Sequence, residues 1–222
     1  MNTKLMAEFF GTALLLAVVT GSGFMGDTLA SGNSAVALLG NSIATGAGLY
    51  VLITLLAPIS GAHFNPVVSL VAWYDKTITT QDFVLYCVSQ FFGAIAGVWT
   101  IHLIFSLPII QSSTKARNGI GIWFSELFAT LVLLSVIRLG VKYRPTQVPM
   151  LVAMTVTAGY WFTSSTFFSN PAVTLARSMT NTFVGITYND VFGFISAQFV
   201  ASILFLLIIR LSNKQVNKQT TS

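Results

Sequence analysis

Six apolar runs dominate this chain, most of them close to the ~20 residues that cross a bilayer as a helix. They cover roughly 4–25, 34–57, 81–106, 119–139, 148–163 and 189–211. Backbone inside lipid has to satisfy its own hydrogen bonds, which leaves only helices or a closed barrel. The runs are continuous and show no strict two-residue alternation, so helices are the consistent choice. Charged residues make up 8% of the chain, against about 25% in an ordinary soluble domain. A water-soluble globule is therefore excluded, and an all-α, polytopic membrane protein is expected. The first run extends past twenty residues without a small-residue cleavage pattern, so it reads as a span and not as a leader.

The formal net charge is +5, but its distribution argues against a nucleic-acid partner. With six spans, Lys4, Lys76, Arg138, Lys142, Arg144, Arg210, Lys214 and Lys218 fall on one side, and Lys115, Arg117 and Arg177 on the other. That bias sets orientation and puts both termini in the cytoplasm. Cys87 is the only cysteine, which excludes an intramolecular disulfide and a Cys-cluster metal site. No nucleophile–base set, phosphate loop or metal cluster stands out. No catalytic residue, metal or cofactor is expected.

Two connections are too apolar to be ordinary loops. One is PISGAHFNPVVSLVAWYD, residues 58–75, and the other is SSTFFSNPAVTLARSMTN, residues 164–181. Each has a small-residue front, then Asn-Pro, then about ten helix-favouring residues. Asn is a strong N-cap and Pro is favoured at the first helical position, so Asn65-Pro66 and Asn170-Pro171 mark helix starts. A helix from Asn65 to Asp75 would be about 15 Å long, half of the ~30 Å hydrocarbon core. Two re-entrant half-helices meeting near mid-membrane are predicted.

The chain also repeats. AEFFGTALL (residues 7–15) and SELFATLVL (residues 125–133) open spans one and four, and Gln90 and Gln198 hold similar places in spans three and six. Glu8 precedes Asn65 by 57 residues, and Glu126 precedes Asn170 by 44. Three spans per copy force the second copy to be inverted, and inverted repeats with broken helices at the midplane are a transport architecture. Residues 1–222 then form one domain, with repeat one about 1–107, repeat two about 119–211, and a polar tail 212–222 expected to fray.

Glu8, SGAHFNPVV (residues 60–68), Gln90, Glu126, NPAV (residues 170–173) and Gln198 together resemble the major intrinsic protein superfamily, the aquaporins and aquaglyceroporins. The resemblance covers nearly the whole chain. The first motif departs from the usual pattern, with Val67 where alanine is common. The run from Ser60 to Lys76 is most similar to bacterial glycerol-conducting members, and NPAVTLARS to a subgroup associated with arsenic resistance. The family implies an aquaporin-like fold and a homotetramer in a bilayer with one pore per subunit. A bacterial inner membrane is the expected location.

The residues also carry a physical reading. Irregular backbone survives at membrane depth only where it lines a cavity or is packed in protein. Residues 60–64 and 165–169 are expected to present carbonyl acceptors, with Asn65, Pro66, Val67, Asn170, Pro171 and Ala172 forming the pore centre. Each helix N-terminus adds roughly half a positive charge, which repels cations. A plain N-cap role is the blander reading of the two asparagines. Glu8 and Glu126 are ionisable groups inside spans, where such groups usually have a function. The resemblance implies that they support the re-entrant loops, as do Gln90, Gln198 and His63. Proton coupling by the two carboxylates, and a pH gate at His63, are the alternatives.

The family's selectivity filter, carried over by offset from the two asparagines, falls on Thr45, Ala158, Phe167 and Val173. A slip by one would bring in Thr166 or Phe168. Val173 stands where the family usually has arginine, which would fill volume, donate hydrogen bonds and repel cations. Thr45 and Ala158 are small as well. The expected pore is wide and weakly polar. It would pass neutral solutes of glycerol size, water, and arsenite as As(OH)3 or methylated arsenicals. A water-selective aquaporin, a coupled secondary transporter and a non-conducting assembly are the rival readings. Arg177 lies seven residues after Asn170, two turns further along the same face. It either returns the missing charge from the pore mouth or anchors to loop carbonyls.

Overall fold

The computed structural model describes residues 3–219, with side chains as far as Ser212. All its regular structure is helical. Helices α1 (Thr3–Leu29), α2 (Ser34–Ser60), α4 (Thr80–Ile104), α5 (Ile120–Tyr143), α6 (Val148–Phe162) and α8 (Tyr188–Gln219) occupy the six predicted runs. The short helices α3 (Pro66–Tyr74) and α7 (Pro171–Arg177) follow the two Asn-Pro pairs. Among the described residues, five helices are long and apolar enough to cross a membrane. The sixth, α6, has 15 residues, about 22 Å at 1.5 Å per residue, and a 3-10 turn at Pro145–Gln147 extends it.

Local chemistry sets the boundaries. The Asn33 side chain accepts from the N–H groups of Ala35 and Val36 to start α2. Thr79 and Asp82 form a reciprocal capping box at the start of α4. Gly61, at φ +91°, closes α2 in the left-handed conformation, and its N–H bonds the Ala57 carbonyl. The second half-helix is shorter than predicted, seven residues and not about ten. It stops at Arg177 because the chain turns: Ser178 and Met179 bond back to Leu175 and Ala176, and Ile186 N–H takes the Arg177 carbonyl. The tail expected to fray after residue 211 stays helical to Gln219. The side chains of Lys214 and Lys218, and residues 220–222, lie outside the described residues.

Packing follows the inverted repeat. Helix α1 packs on α2 and α4, as α5 packs on α6 and α8. The α2–α6 contact joins the two halves, while α3 and α7 both lie against α4 and α8 and touch each other. The α1–α4 crossing is close because Gly93 and Gly97 are bare. A Cβ there would lie 2.3 Å from the Phe9 carbonyl oxygen and 2.1 Å from that of Ala13. Small residues four apart allow this backbone approach in membrane helices. Burial is inverted relative to a soluble protein. Glu8, Gln90, Glu126 and Gln198 are fully buried, while Phe10, Leu55, Phe92 and Phe124 are exposed to the surroundings.

Candidate functional site

The approaches to the two half-helices are irregular because several of their residues are left-handed. Ala62 and Phe64 have φ of 50° and 49°, and Thr166, Phe167 and Ser169 have φ of 60°, 55° and 48°. Each left-handed non-glycine residue costs on the order of 1–2 kcal/mol, so other contacts must hold it. Buried carboxylates do so. Glu8 accepts from His63 N–H (3.0 Å), Phe64 N–H (2.7 Å), Ser60 Oγ (2.6 Å) and Gln90 Nε2 (2.8 Å). Glu126 accepts from Ser169 N–H and from Gln198 Nε2 (2.7 Å). The two glutamines each reach one more partner, four residues beyond an asparagine. Gln90 donates to Ser69 Oγ (3.0 Å), and Gln198 to Thr174 Oγ1 (2.8 Å).

The half-helix tips are bonded crosswise. Asn65 Oδ1 accepts from Val67 N–H (3.0 Å), and Asn170 Oδ1 accepts from Ala172 (3.0 Å) and Val173 (3.3 Å). Asn65 Nδ2 donates to the Ser169 carbonyl (2.7 Å), and Asn170 Nδ2 to the Phe64 carbonyl (2.8 Å). Each asparagine is thus an N-cap and also a strut to the opposite half, with one amide N–H to spare. The last carbonyl of each approach segment is consumed by this lock. Pro66, Val67, Pro171 and Ala172 are buried behind the tips and lie outside the cavity lining.

One cavity of about 670 Å³ touches both asparagines. At one mouth it is lined by Lys4, Asp75 and Arg138, with Arg138 ion-paired to Asp75. At the other it is lined by Thr45, Phe167, Phe168, Val173 and Arg177. Between them the walls are largely aliphatic, with Leu49, Ile53, Val152 and Val156 among the lining residues. Glu8 and Glu126 do not line it. Their hydrogen bonds go to loop backbone N–H groups and to the side chains of Ser60, Gln90 and Gln198.

Three of the four expected filter positions, Thr45, Phe167 and Val173, face the cavity; Ala158 does not. Ala158 is exposed on the outside of α6, while Val152, Val156 and Tyr160 line the cavity. The reason is helical phase. Residues four apart share a face, and a position two away lies about 200° round the helix. An ungapped offset from Asn170 is blind to that phase. On this helix Tyr160 lines the cavity, with its hydroxyl 3.2 Å from Thr45 Oγ1. Thr166 lies outside the lining, whereas Phe168 joins Phe167 in it.

His63 lines the cavity, with Nδ1 3.0 Å from Ser69 Oγ and its ring edge-on to Tyr86. Phe168, also two residues before its asparagine, packs on Phe194 with centroids 4.8 Å apart. Tyr86 and Phe194 each precede a glutamine by four residues, a spacing that could have revealed them. Arg177 is 2% exposed and does two things. Its Nε donates to the Val184 carbonyl (2.5 Å), and its guanidinium lies 3.5 Å from the Phe168 ring centroid. It is anchored to a loop carbonyl and also lines the cavity.

Two cross-bonded half-helices inside an inverted repeat of apolar helices define a membrane pore protein. The profile of the major intrinsic protein family matches residues 1–208, and the chain belongs to that family. It is 47% identical over 210 residues to Aquaglyceroporin AqpS of Rhizobium meliloti (strain 1021), covering 95% of this chain and 90% of that protein. It is 35% identical over 122 residues to Aquaporin Z of Brucella melitensis biotype 1, covering 54% and 53%. The X-ray structure of the aquaglyceroporin from Plasmodium falciparum matches with a TM-score of 0.70 at 23% identity, covering 91% of this chain and 93% of that one; this likeness is one of fold. The protein is an integral membrane channel of aquaglyceroporin type and not an enzyme.

Proposed function

We propose that this channel is a passive pore for small uncharged solutes of glycerol size, with water, and with arsenite or methylated arsenicals as further cargo. The observation that carries this reading is that Val173 and Thr45 both line the cavity, two small side chains where a guanidinium and an aromatic would narrow the path. As(OH)3 is a compact neutral trihydroxy solute, so an aperture suited to a small polyol suits it too. The 47% identity to a protein named as an aquaglyceroporin supports the polyol class. Neither membrane carboxylate lines the cavity, which speaks against coupled transport.

A water-selective pore is the second reading. It is favoured by Tyr160, Phe167 and Phe168, three aromatics in the lining at the Arg177 mouth. Light scattering from proteoliposomes shocked with glycerol separates the two. Fast reswelling after shrinkage is the expected result, followed by a test of arsenite uptake. Shrinkage at an increased rate without reswelling would overturn the polyol reading. The exposed apolar helix faces suit a homotetramer in the bacterial inner membrane, with both termini in the cytoplasm. Mass measurement in native detergent micelles and terminal reporter fusions test those assignments.

A further inference from the structure

The Arg177 mouth gathers basic residues. The three basic residues expected on that side of the membrane, Lys115, Arg117 and Arg177, belong to segments that the structure ties together. The Lys115 carbonyl accepts from Thr187 N–H (2.8 Å), and Arg117 Nε and Nη2 donate to the Gly185 (2.9 Å) and Phe183 (3.4 Å) carbonyls. The Arg117 and Arg177 guanidiniums lie 5.5 and 3.5 Å from the centroid of the same Phe168 ring. Two like charges on one ring repel each other and leave a net field that no nearby carboxylate bonds away. Asp190 is held by Arg117 N–H (2.7 Å), Thr187 Oγ1 (2.7 Å) and Asn118 Nδ2 (3.2 Å), and by neither guanidinium. Glu126 is fully buried and engaged with Ser169 and Gln198. Burial also holds the Arg117 guanidinium below its ordinary value, while Tyr160 and Glu126 act in the opposite sense.

Arg177 has donors left over. Among the described residues, only its Nε has a protein acceptor. Its Nη groups are not among the enclosed, unpartnered polar atoms, and the residue lines the cavity. They are therefore not sealed off, in a residue of the cavity wall. A planar guanidinium with free N–H groups matches the geometry of an oxyanion, and such charge-assisted pairs are the strong ones. We propose that Arg177, with Arg117 behind it, forms a docking site for a small oxyanion at this mouth of the pore. The occupant stops there. Beyond it lie aliphatic walls, and the Asn65 and Asn170 amides each have one N–H already committed. An anion would lose its water with few donors in return. A docked anion obstructs the lumen and slows the flux of neutral solute, a consequence that rests on the pore function proposed above.

Nitrate, fully ionised and planar, is the probe. Isothermal titration of the intact protein in detergent should give one nitrate per chain, with weaker binding of chloride at equal ionic strength. Arg177→Leu should abolish the binding. Arg177→Lys, which keeps the charge but loses the fork, should weaken it roughly tenfold. Arg117→Leu, which removes only the field, should weaken it by a smaller factor. Nitrate should also slow glycerol reswelling of wild-type proteoliposomes and not of Arg177→Leu. An absent nitrate signal, equal affinity for chloride, or unchanged affinity in Arg177→Leu would overturn the site. If Arg177→Leu does not yield a monodisperse protein, unchanged affinity in both Arg177→Lys and Arg117→Leu would overturn it equally. Nitrate binding in a protein that gives no glycerol reswelling would leave the site standing and sink the polyol reading instead.

Discussion

The two half-helix units are built on one plan but end differently. In each, a buried glutamate holds the irregular approach, a glutamine on a later span bonds that glutamate and a hydroxyl four residues past the asparagine, and the asparagine reaches across to the other unit. The pairs are Glu8 and Glu126, Gln90 and Gln198, Ser69 and Thr174, Asn65 and Asn170. Around this shared frame, the aromatic partners are His63 on Tyr86 in one unit and Phe168 on Phe194 in the other. The first half-helix has nine residues and ends at an Asp75–Arg138 ion pair; the second has seven and ends at Arg177 stacked on Phe168. The residues that repeat hold backbone in place, while His63, Phe168, Asp75, Arg138 and Arg177, which differ between the copies, line the cavity. Support is duplicated, and the selectivity proposed above falls where the copies diverge.

The strongest test of that division strikes the shared frame. Glu8→Ala removes the acceptor of four buried or part-buried donors: two backbone N–H groups, the Ser60 hydroxyl and the Gln90 amide. An unsatisfied buried donor costs about 1–3 kcal/mol, so the loss should exceed what a marginal fold can bear. The expected outcome is failure to recover monodisperse protein from membranes, and Glu126→Ala should fail in the same way. Full yield and unchanged thermal stability for either variant would break the claim that the carboxylates support the loops.

Next comes a change at the divergent aperture. Val173→Arg should leave the fold intact and cut glycerol reswelling by roughly tenfold or more, with water flux less affected, because a guanidinium adds bulk and a fixed charge. Equal glycerol rates in wild type and Val173→Arg would mean that the constriction lies elsewhere, with Tyr160 and Phe167 the first places to look. Smaller again should be Thr174→Ala and Ser69→Ala. Each leaves a glutamine N–H without one partner, at a cost of about 1 kcal/mol. Matching losses of thermal stability in the two variants would sharpen the equivalence of the frames; a loss confined to one would break it.

Most of the frame was legible because it rests on chemistry that residue types announce. Asn-Pro announces a capped helix start, and Asn65 and Asp75 bracket α3 as predicted. Ionisable residues in apolar runs announce internal hydrogen bonding, and Glu8 and Glu126 supply it. The filter was less legible, since it depends on which way a helix is turned. Ala158 satisfies the offset count, yet is exposed on the outside of α6, while Val152, Val156 and Tyr160 share the face that lines the cavity. The end of α7 was hidden for a similar reason: Ile186, nine residues on in the chain, takes the Arg177 carbonyl, a contact that no local pattern encodes. His102 carried no signal in the sequence, yet it is fully buried and bridges the Ile109 carbonyl (2.7 Å) and Thr180 Oγ1 (2.9 Å), tying together the two loops beside α7.

The smallest expected effect lies at the mouth opposite Arg177. Arg138 and Asp75 pair across the end of α3, but their side chains are 38% and 21% exposed, so water and salt screen the attraction. Partly exposed pairs contribute at most about 1 kcal/mol. Asp75 also closes α3, its backbone N–H bonding the Val71 carbonyl, and that bond does not need the carboxylate. Asp75→Asn should therefore shift thermal stability only slightly, by less in high salt than in low, and should leave glycerol flux close to wild type. The contrast with Arg177 is then explicit, for one arginine is paired with a carboxylate and the other bonds a loop carbonyl through Nε alone among the described residues. A large change of solute selectivity in Asp75→Asn, with none in Arg177→Leu, would reverse that assignment and place the charge that matters for permeation at the α3 end.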